Sequence, residues 1–259
     1  VNGSRILVGI FNRFLDDVNF NDQKLRLAMN VAVDRNEFVQ NGFNGYADIV
    51  PALTPPWAFD FPEDLQPRAN NPAYARKLLR ESGYPEGRTL RLAAFEKYRK
   101  ATIILASQLQ NSLEIKVDVT IIYPHQEVKW RRLVAEKKLV PTWDILLADT
   151  TALFYEGTPA FFHREFFGAD GAFRTGPVIP EFEALFLKMA TQTNMEKLLE
   201  TAKEIDRYTF KESLGLFHCS PQDLYAVNRH VDFRPYRTTF ELAETEVSSF
   251  HWSRRSHQT

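Results

Sequence analysis

Asp149 follows the apolar run WDILLA at 143–148 and is followed in turn by Thr150, Thr151, Phe154 and Tyr155. An ionised carboxylate only accepts hydrogen bonds, a hydroxyl both gives and accepts, and an aromatic ring offers a flat apolar face. A loop after a strand that gathers all three suits ligand binding rather than bond-making. Asp149 is expected to accept from a cationic or hydroxylated ligand, with Thr150 beside it and Phe154 or Tyr155 stacked against it. The competing reading of Asp149 is a turn cap at a strand end. Trp57, within PPWAFDF at 55–61, is a further candidate, set either over a ligand or over its own loop's small core.

Other reactive side chains carry less. His163, Arg164 and Glu165 lie together but lack the i,i+4 histidine pairing of a metal helix, and read as a solvated or capped helix end. His218 and Cys219 are neighbours on an expected strand; strand neighbours face opposite ways, so they read as a buried thiol beside a histidine and not as a nucleophile with its base. No spacing of carboxylates singles out an acid/base couple, and phosphate-loop, dinucleotide and nucleophile-elbow motifs are missing from the sequence. No cofactor is expected, and the chain reads as a binding protein, with a hydrolase built on Asp149 and His163 as the alternative from another class.

Elements must hold these residues in place. The 259 residues are 44% hydrophobic, enough for a sizeable core, and 32 basic against 33 acidic residues leave a formal charge of -1. That balance gives no case for nucleic acid as a partner, and Glu127 and Glu136 offset the basic run at Lys129, Arg131 and Arg132. The longest apolar runs fall far short of the roughly 20 residues that cross a bilayer. One cysteine excludes an internal disulfide.

Periodicity predicts strands over 4–11, 88–95, 115–123, 143–148, 214–219 and 223–228, and helices over 22–33, 35–43, 97–113, 124–138, 179–191 and 194–212. The stretch NPAYARKLLRESGYPEG at 71–87 is a fully punctuated helix: Asn71 caps, Pro72 needs no N–H partner, and Gly83 and Pro85 stop it. Five prolines together with Trp57, Phe59 and Phe61 make 46–70 a long ordered loop, and 149–176 reads as irregular. Helices alternating with strands define an α/β class with a sheet that is parallel in part.

Three stretches occur in an order that resembles the family 5 extracytoplasmic solute-binding proteins, the peptide, dipeptide and nickel binders of ABC importers. The pattern D-x-x-x-R-x-A-x-x-x-A-x-D-R is met by Asp22, Arg26, Ala28, Ala32, Asp34 and Arg35. A second, the D-P-x-x-A-x-x-L-L helix closed by A-G-Y-x-x-G, is met by Pro72, Ala75, Leu78, Leu79, Gly83, Tyr84 and Gly87, with Asn71 for the aspartate and Ser82 for the alanine. The third lies in the helix and strands of 194–233. The resemblance implies a periplasmic-binding-protein-like (type II) lobe, a mixed sheet flanked by helices. It implies 1–20 as an interdomain or hinge strand region, 21–212 as the second-lobe α/β domain, and 213–259 as strands and tail returning toward a missing N-terminal lobe.

It also implies a small-molecule or oligopeptide ligand trapped between two lobes, ABC importer membrane subunits as partners, and a periplasmic or extracytoplasmic location; the ligand-sensing module of a transcription regulator is the related alternative. In the family's peptide binders the strand corresponding to 143–148 leads into a W-x-x-D element whose aspartate pairs with the ligand's α-amino group. This chain has Asp149 directly after the strand and threonines where that element would run.

Overall fold

The computed structural model describes residues 5–136, 138–150, 160–236 and 242–254. Its centre is a six-stranded sheet in the order β2-β6-β1-β5-β3-β4, formed by β1 (Leu7–Phe11), β2 (Ala47–Ile49), β3 (Leu90–Phe95), β4 (Val117–Ile122), β5 (Ile145–Asp149) and β6 (Gly215–Pro221). β3 runs parallel to both β4 and β5, whereas β1 is antiparallel to β5 and β6, and β2 to β6. The sheet is mixed, and the ends of β3, β5 and β6 share an edge with the start of β1.

Two helical layers cover it. One face holds α1 (Gln23–Val31), α2 (Arg35–Phe43), α3 (Pro72–Glu81) and α4 (Arg99–Leu113), which bury Leu25, Phe38, Leu78 and Leu105 against Leu92, Ile145, Leu147 and Leu216. The other holds α6 (Phe161–Phe167), α7 (Pro180–Ala190) and α8 (Met195–Lys211), with Trp130 of α5 (Pro124–Ala135) packed against the same cluster. There Phe166, Phe182 and Ile205 meet Val8, Ala93, Leu146 and Phe217. Successive residues of β3 and β5 go to alternate clusters, the period-2 rule of a strand buried on both faces. A β-carbon on Gly9 would lie 3.0 Å from Leu216 Cβ and 3.1 Å from Ile145 Cγ2, so a side chain there would force its neighbours to shift by a few tenths of an ångström.

The residues of the first motif build this arrangement. Asp22 caps α1 by accepting from the Lys24 N–H, and Asp34 caps α2 by accepting from Asn36 and Glu37. Ala28 and Ala32 are fully buried, small enough for close helix packing. Arg26 is 3% exposed and donates to the carbonyls of Phe20, Asn21, Glu212 and Ser213, tying α1 to the end of α8. Arg35, 5% exposed, donates to Asn30, Arg68 and Phe217. Burial lowers both guanidinium pKa values to about 10, which still leaves them charged at neutral pH. α3 has the expected punctuation: Asn71 accepts from Tyr74, Pro72 opens the helix, and Gly83 takes φ +68°.

Several expectations change. The 46–70 loop contains the short β2, which closes the sheet's edge against β6. α6 stands within the stretch read as irregular. The expected strand at 223–228 does not form: Leu224, Tyr225 and Val227 are exposed, and the chain pairs next at β7 (Val231–Asp232) with β8 (Glu246–Val247). Since β6 already lies between β2 and β1, the sheet has no free edge beside it for that segment. Among the described residues no helix is long and apolar enough to cross a membrane.

Candidate functional site

Asp149 is the last residue of β5 and pairs in register with Leu7 of β1. Its neighbour is a lysine that sequence reasoning missed. Lys97 lies in a single 3-10 turn, Glu96–Tyr98, directly after β3, and its Nζ stands 2.9 Å from Asp149 Oδ1 and 3.0 Å from Oδ2. The Asp149 side chain is 6% exposed and that of Lys97 is 43% exposed, so the carboxylate lies beneath and the ammonium reaches solvent. Tyr98 packs under the pair, with Lys97 Nζ 5.0 Å from its ring. Burial and then the charge of Asp149 push the Tyr98 phenol upward, which keeps it neutral.

A second ion pair crosses the same edge. Arg5, just before β1, pairs with Asp223, just after β6. Burial works against the Arg5 charge, but Asp223 and more distantly Asp149 outweigh it and raise its pKa. Two cations and two carboxylates therefore alternate where the parallel strands end, the crevice in which open α/β sheets place their ligands.

The remaining candidates fall as follows. Thr150 is 1% exposed; its hydroxyl accepts from the Ile6 N–H at 2.9 Å, and its own N–H donates to Ile6 O at 2.9 Å. The geometry thus gives its side chain to the junction of β5 with β1. Trp57 is half-buried in the loop after β2. Phe154 and Tyr155 lie outside the described residues. The signal that could have found Lys97 is topological: it follows a strand parallel to β5 by two residues, so both must reach one edge.

His163 corrects its reading. It is 2% exposed, and its Nε2 lies 2.5 Å from Asp206 Oδ1 of α8, which is itself fully buried. His163 and Phe166 are three positions apart, so the helix turns both to the core. The buried thiol at Cys219 is as expected, with its pKa pushed up chiefly by burial. The alternation argument nevertheless fails locally, because the β1–β6 register slips between Leu7 and Val8. His218 shares the side of Leu216 and stacks on Phe38 at 4.6 Å, and the bulge brings Cys219 to that same side. The basic run of α5 is internally paired, Arg131 with Glu127 and Arg132 with Glu136. No group of three metal-ligating side chains assembles among the described residues.

A mixed sheet between two helical layers, with charged groups where its parallel strands end, is the architecture of a periplasmic-binding-protein lobe. Residues 3–170 match the family described as bacterial extracellular solute-binding proteins, family 5 (middle portion), and the chain belongs to that family. It is 33% identical over 102 residues to the glutathione-binding protein GsiB of Salmonella typhimurium, a match spanning 39% of this chain and 20% of that protein.

Among solved structures, AppA from Clostridium difficile superposes with a TM-score of 0.81 at 17% identity, covering 96% of this chain and 52% of that one. The oligopeptide-binding protein AppA from Bacillus subtilis, solved with a nonapeptide, gives 0.74 at 16% identity, covering 94% and 51%. The chain thus spans about half of each AppA, at 52% and 51%. By name these relatives are glutathione-, peptide- and oligopeptide-binding proteins.

Proposed function

We propose that this chain supplies one lobe of an extracytoplasmic receptor that captures a small-molecule or oligopeptide ligand and presents it to the membrane subunits of an ABC importer. The observation that carries the reading is the shared edge. The chain enters the sheet at Arg5 and leaves it after Pro221 on the edge that bears Lys97 and Asp149, so a first lobe joined through those two crossings would face the charged groups. In this reading the crossings lie within 1–20 and 213–259, before β1 and after β6, and those two strands join 21–212 in the body of the lobe.

A ligand with an ammonium and a carboxylate matches the exposed Lys97 and the Asp149 beneath it, and glutathione and short peptides are the first compounds to try because relatives bind them. Capture between lobes by hinge closure makes a single lobe a weak binder. Calorimetry with glutathione and a tripeptide panel should therefore find tight binding to the longer protein and none to this chain alone. Lys97→Ala or Asp149→Asn in the longer protein should weaken it about tenfold or more, the scale of one lost charged hydrogen bond. Submicromolar binding to this chain alone, or unaltered affinity in both variants, overturns the proposal.

A further inference from the structure

A second concavity lies at the opposite edge of the sheet, where β1 ends and β5 begins. It has a volume of about 380 Å³, within the size range of small-molecule sites, and Ile10 and Leu146 form its floor. Trp130, Trp143, Phe14, Phe173 and Val140 make its walls, and Arg174 stands among them. Two of those walls face solvent: Phe14 is 51% exposed and Val140 80% exposed, an apolar surface open to water.

Charge of both signs lies beside this surface, but the carboxylates are engaged: Glu183 accepts from the Ala169 N–H at 2.7 Å, and Glu165 accepts from the Ala172 N–H at 3.2 Å and pairs with Arg164. Arg174 donates to the Gly176 carbonyl and lies 5.9 Å from the Phe14 ring. Arg13, 8% exposed, donates to the Pro177 carbonyl at 3.1 Å and packs on Gly176, where an added β-carbon would stand 2.7 Å from its guanidinium carbon. Neither guanidinium forms an ion pair with a carboxylate among the described residues. Burial first, and then the like charges of Arg26 and Arg174, lower the Arg13 pKa to about 10. Asp170, between the lining Ala169 and Gly171, is an exposed carboxylate at the rim, where water screens it.

We infer that this cleft is a second binding site, separate from the Lys97–Asp149 edge, for a small aromatic carboxylate whose ring lies among Trp130, Trp143 and Phe173 and whose anion meets Arg174. Flat rings suit tryptophan and phenylalanine walls, and a guanidinium with no carboxylate partner among the described residues supplies the complementary charge.

Naphthoate and its neutral counterpart naphthalenemethanol separate the two components. In calorimetric titration of this chain, naphthoate should bind with a Kd of about 1 mM or tighter, and the alcohol about tenfold more weakly. Arg174→Gln should bring naphthoate down to the alcohol's affinity and leave the alcohol unchanged, whereas Ala172→Phe, which fills the cleft, should abolish both. Circular dichroism establishes that the variants fold; if Arg174→Gln does not, the carboxylate–alcohol comparison on the unaltered chain decides alone. Equal affinity for the two compounds, no binding of either, or binding that survives Ala172→Phe overturns the inference. Lys97→Ala, at the other edge, should leave naphthoate binding as it was; its loss there would also overturn the assignment and leaves the receptor reading to its own test.

Discussion

Replacing Asp144 with asparagine tests how much of this fold depends on one buried carboxylate. The Asp144 side chain is fully buried, while its partners Arg88 and Arg91 are 11% and 39% exposed. Arg88 donates to both oxygens at 2.8 Å, and Arg91 donates from its side chain at 2.7 Å and from its backbone N–H at 2.7 Å. The carboxylate thereby joins the first residues of β5 to those of β3. Asparagine keeps the shape but loses the charge and turns an N–H group toward one guanidinium.

Removing one member of a buried pair costs about 3–5 kcal/mol. Arg91 can turn to water, so the lower end applies, about 3 kcal/mol. With a urea slope near 3 kcal/mol per molar, the unfolding midpoint should fall by about 1 M. Burial alone would raise the Asp144 pKa, but hydrogen bonds from Arg88 and Arg91 outweigh it and hold the carboxyl below its ordinary range. The stability it contributes is therefore complete above the unfolded-state value of about 3.9 and disappears as pH falls through the lower folded-state value. Urea titrations of both proteins, followed by tryptophan emission at pH 7 and at pH 3, read these two quantities. A difference below about 1 kcal/mol at pH 7, or one that stays constant into acid, refutes the reasoning.

Two further outcomes follow from other positions. Burial, and then the charge of Arg35, drive the His218 pKa well below its usual value, and neither ring nitrogen has a hydrogen-bond partner among the described residues. Stability should thus fall below about pH 6.5, where the unfolded chain takes up a proton that the folded one refuses, at about 1.4 kcal/mol per pH unit. His218→Phe, stacked on Phe38, should remove that slope without loss at pH 8, as thermal melts across the pH range would read. Asp34→Ala removes both side-chain hydrogen bonds that start α2 and should cost about 1 kcal/mol in urea unfolding.

Where local chemistry decides a structure, the sequence was enough. Capping residues, prolines at first turns and Gly83 bounded α1 to α3, and alternating apolar residues marked β3 and β5. What escaped depends on distant chain. β2 is three residues long and exists because β6 offers an edge. LYAV at 224–227 has strand-forming residues but no partner, so propensity was overruled by pairing. α6 begins at Ala160 in a left-handed conformation with no side-chain cap, so it lacked a start signal. At the candidate site, Asp149 was legible as a carboxylate at a strand end. Lys97 was not, because only the parallel pairing of β3 with β5 joins them, and the same lack of a local signal hid Asp206 from His163.

The position of β1 has a consequence for the order in which the molecule can assemble. Both neighbours of this first strand come late in the chain: Leu7 pairs with Asp149 on one side and with Cys219 on the other. β3 and β4, separated only by the Glu96–Tyr98 turn and α4, can form a right-handed βαβ unit as soon as they are synthesised. β1, made well before β5 and β6, thus gains its partners late, and until then its apolar residues lack the neighbours that bury them in the sheet.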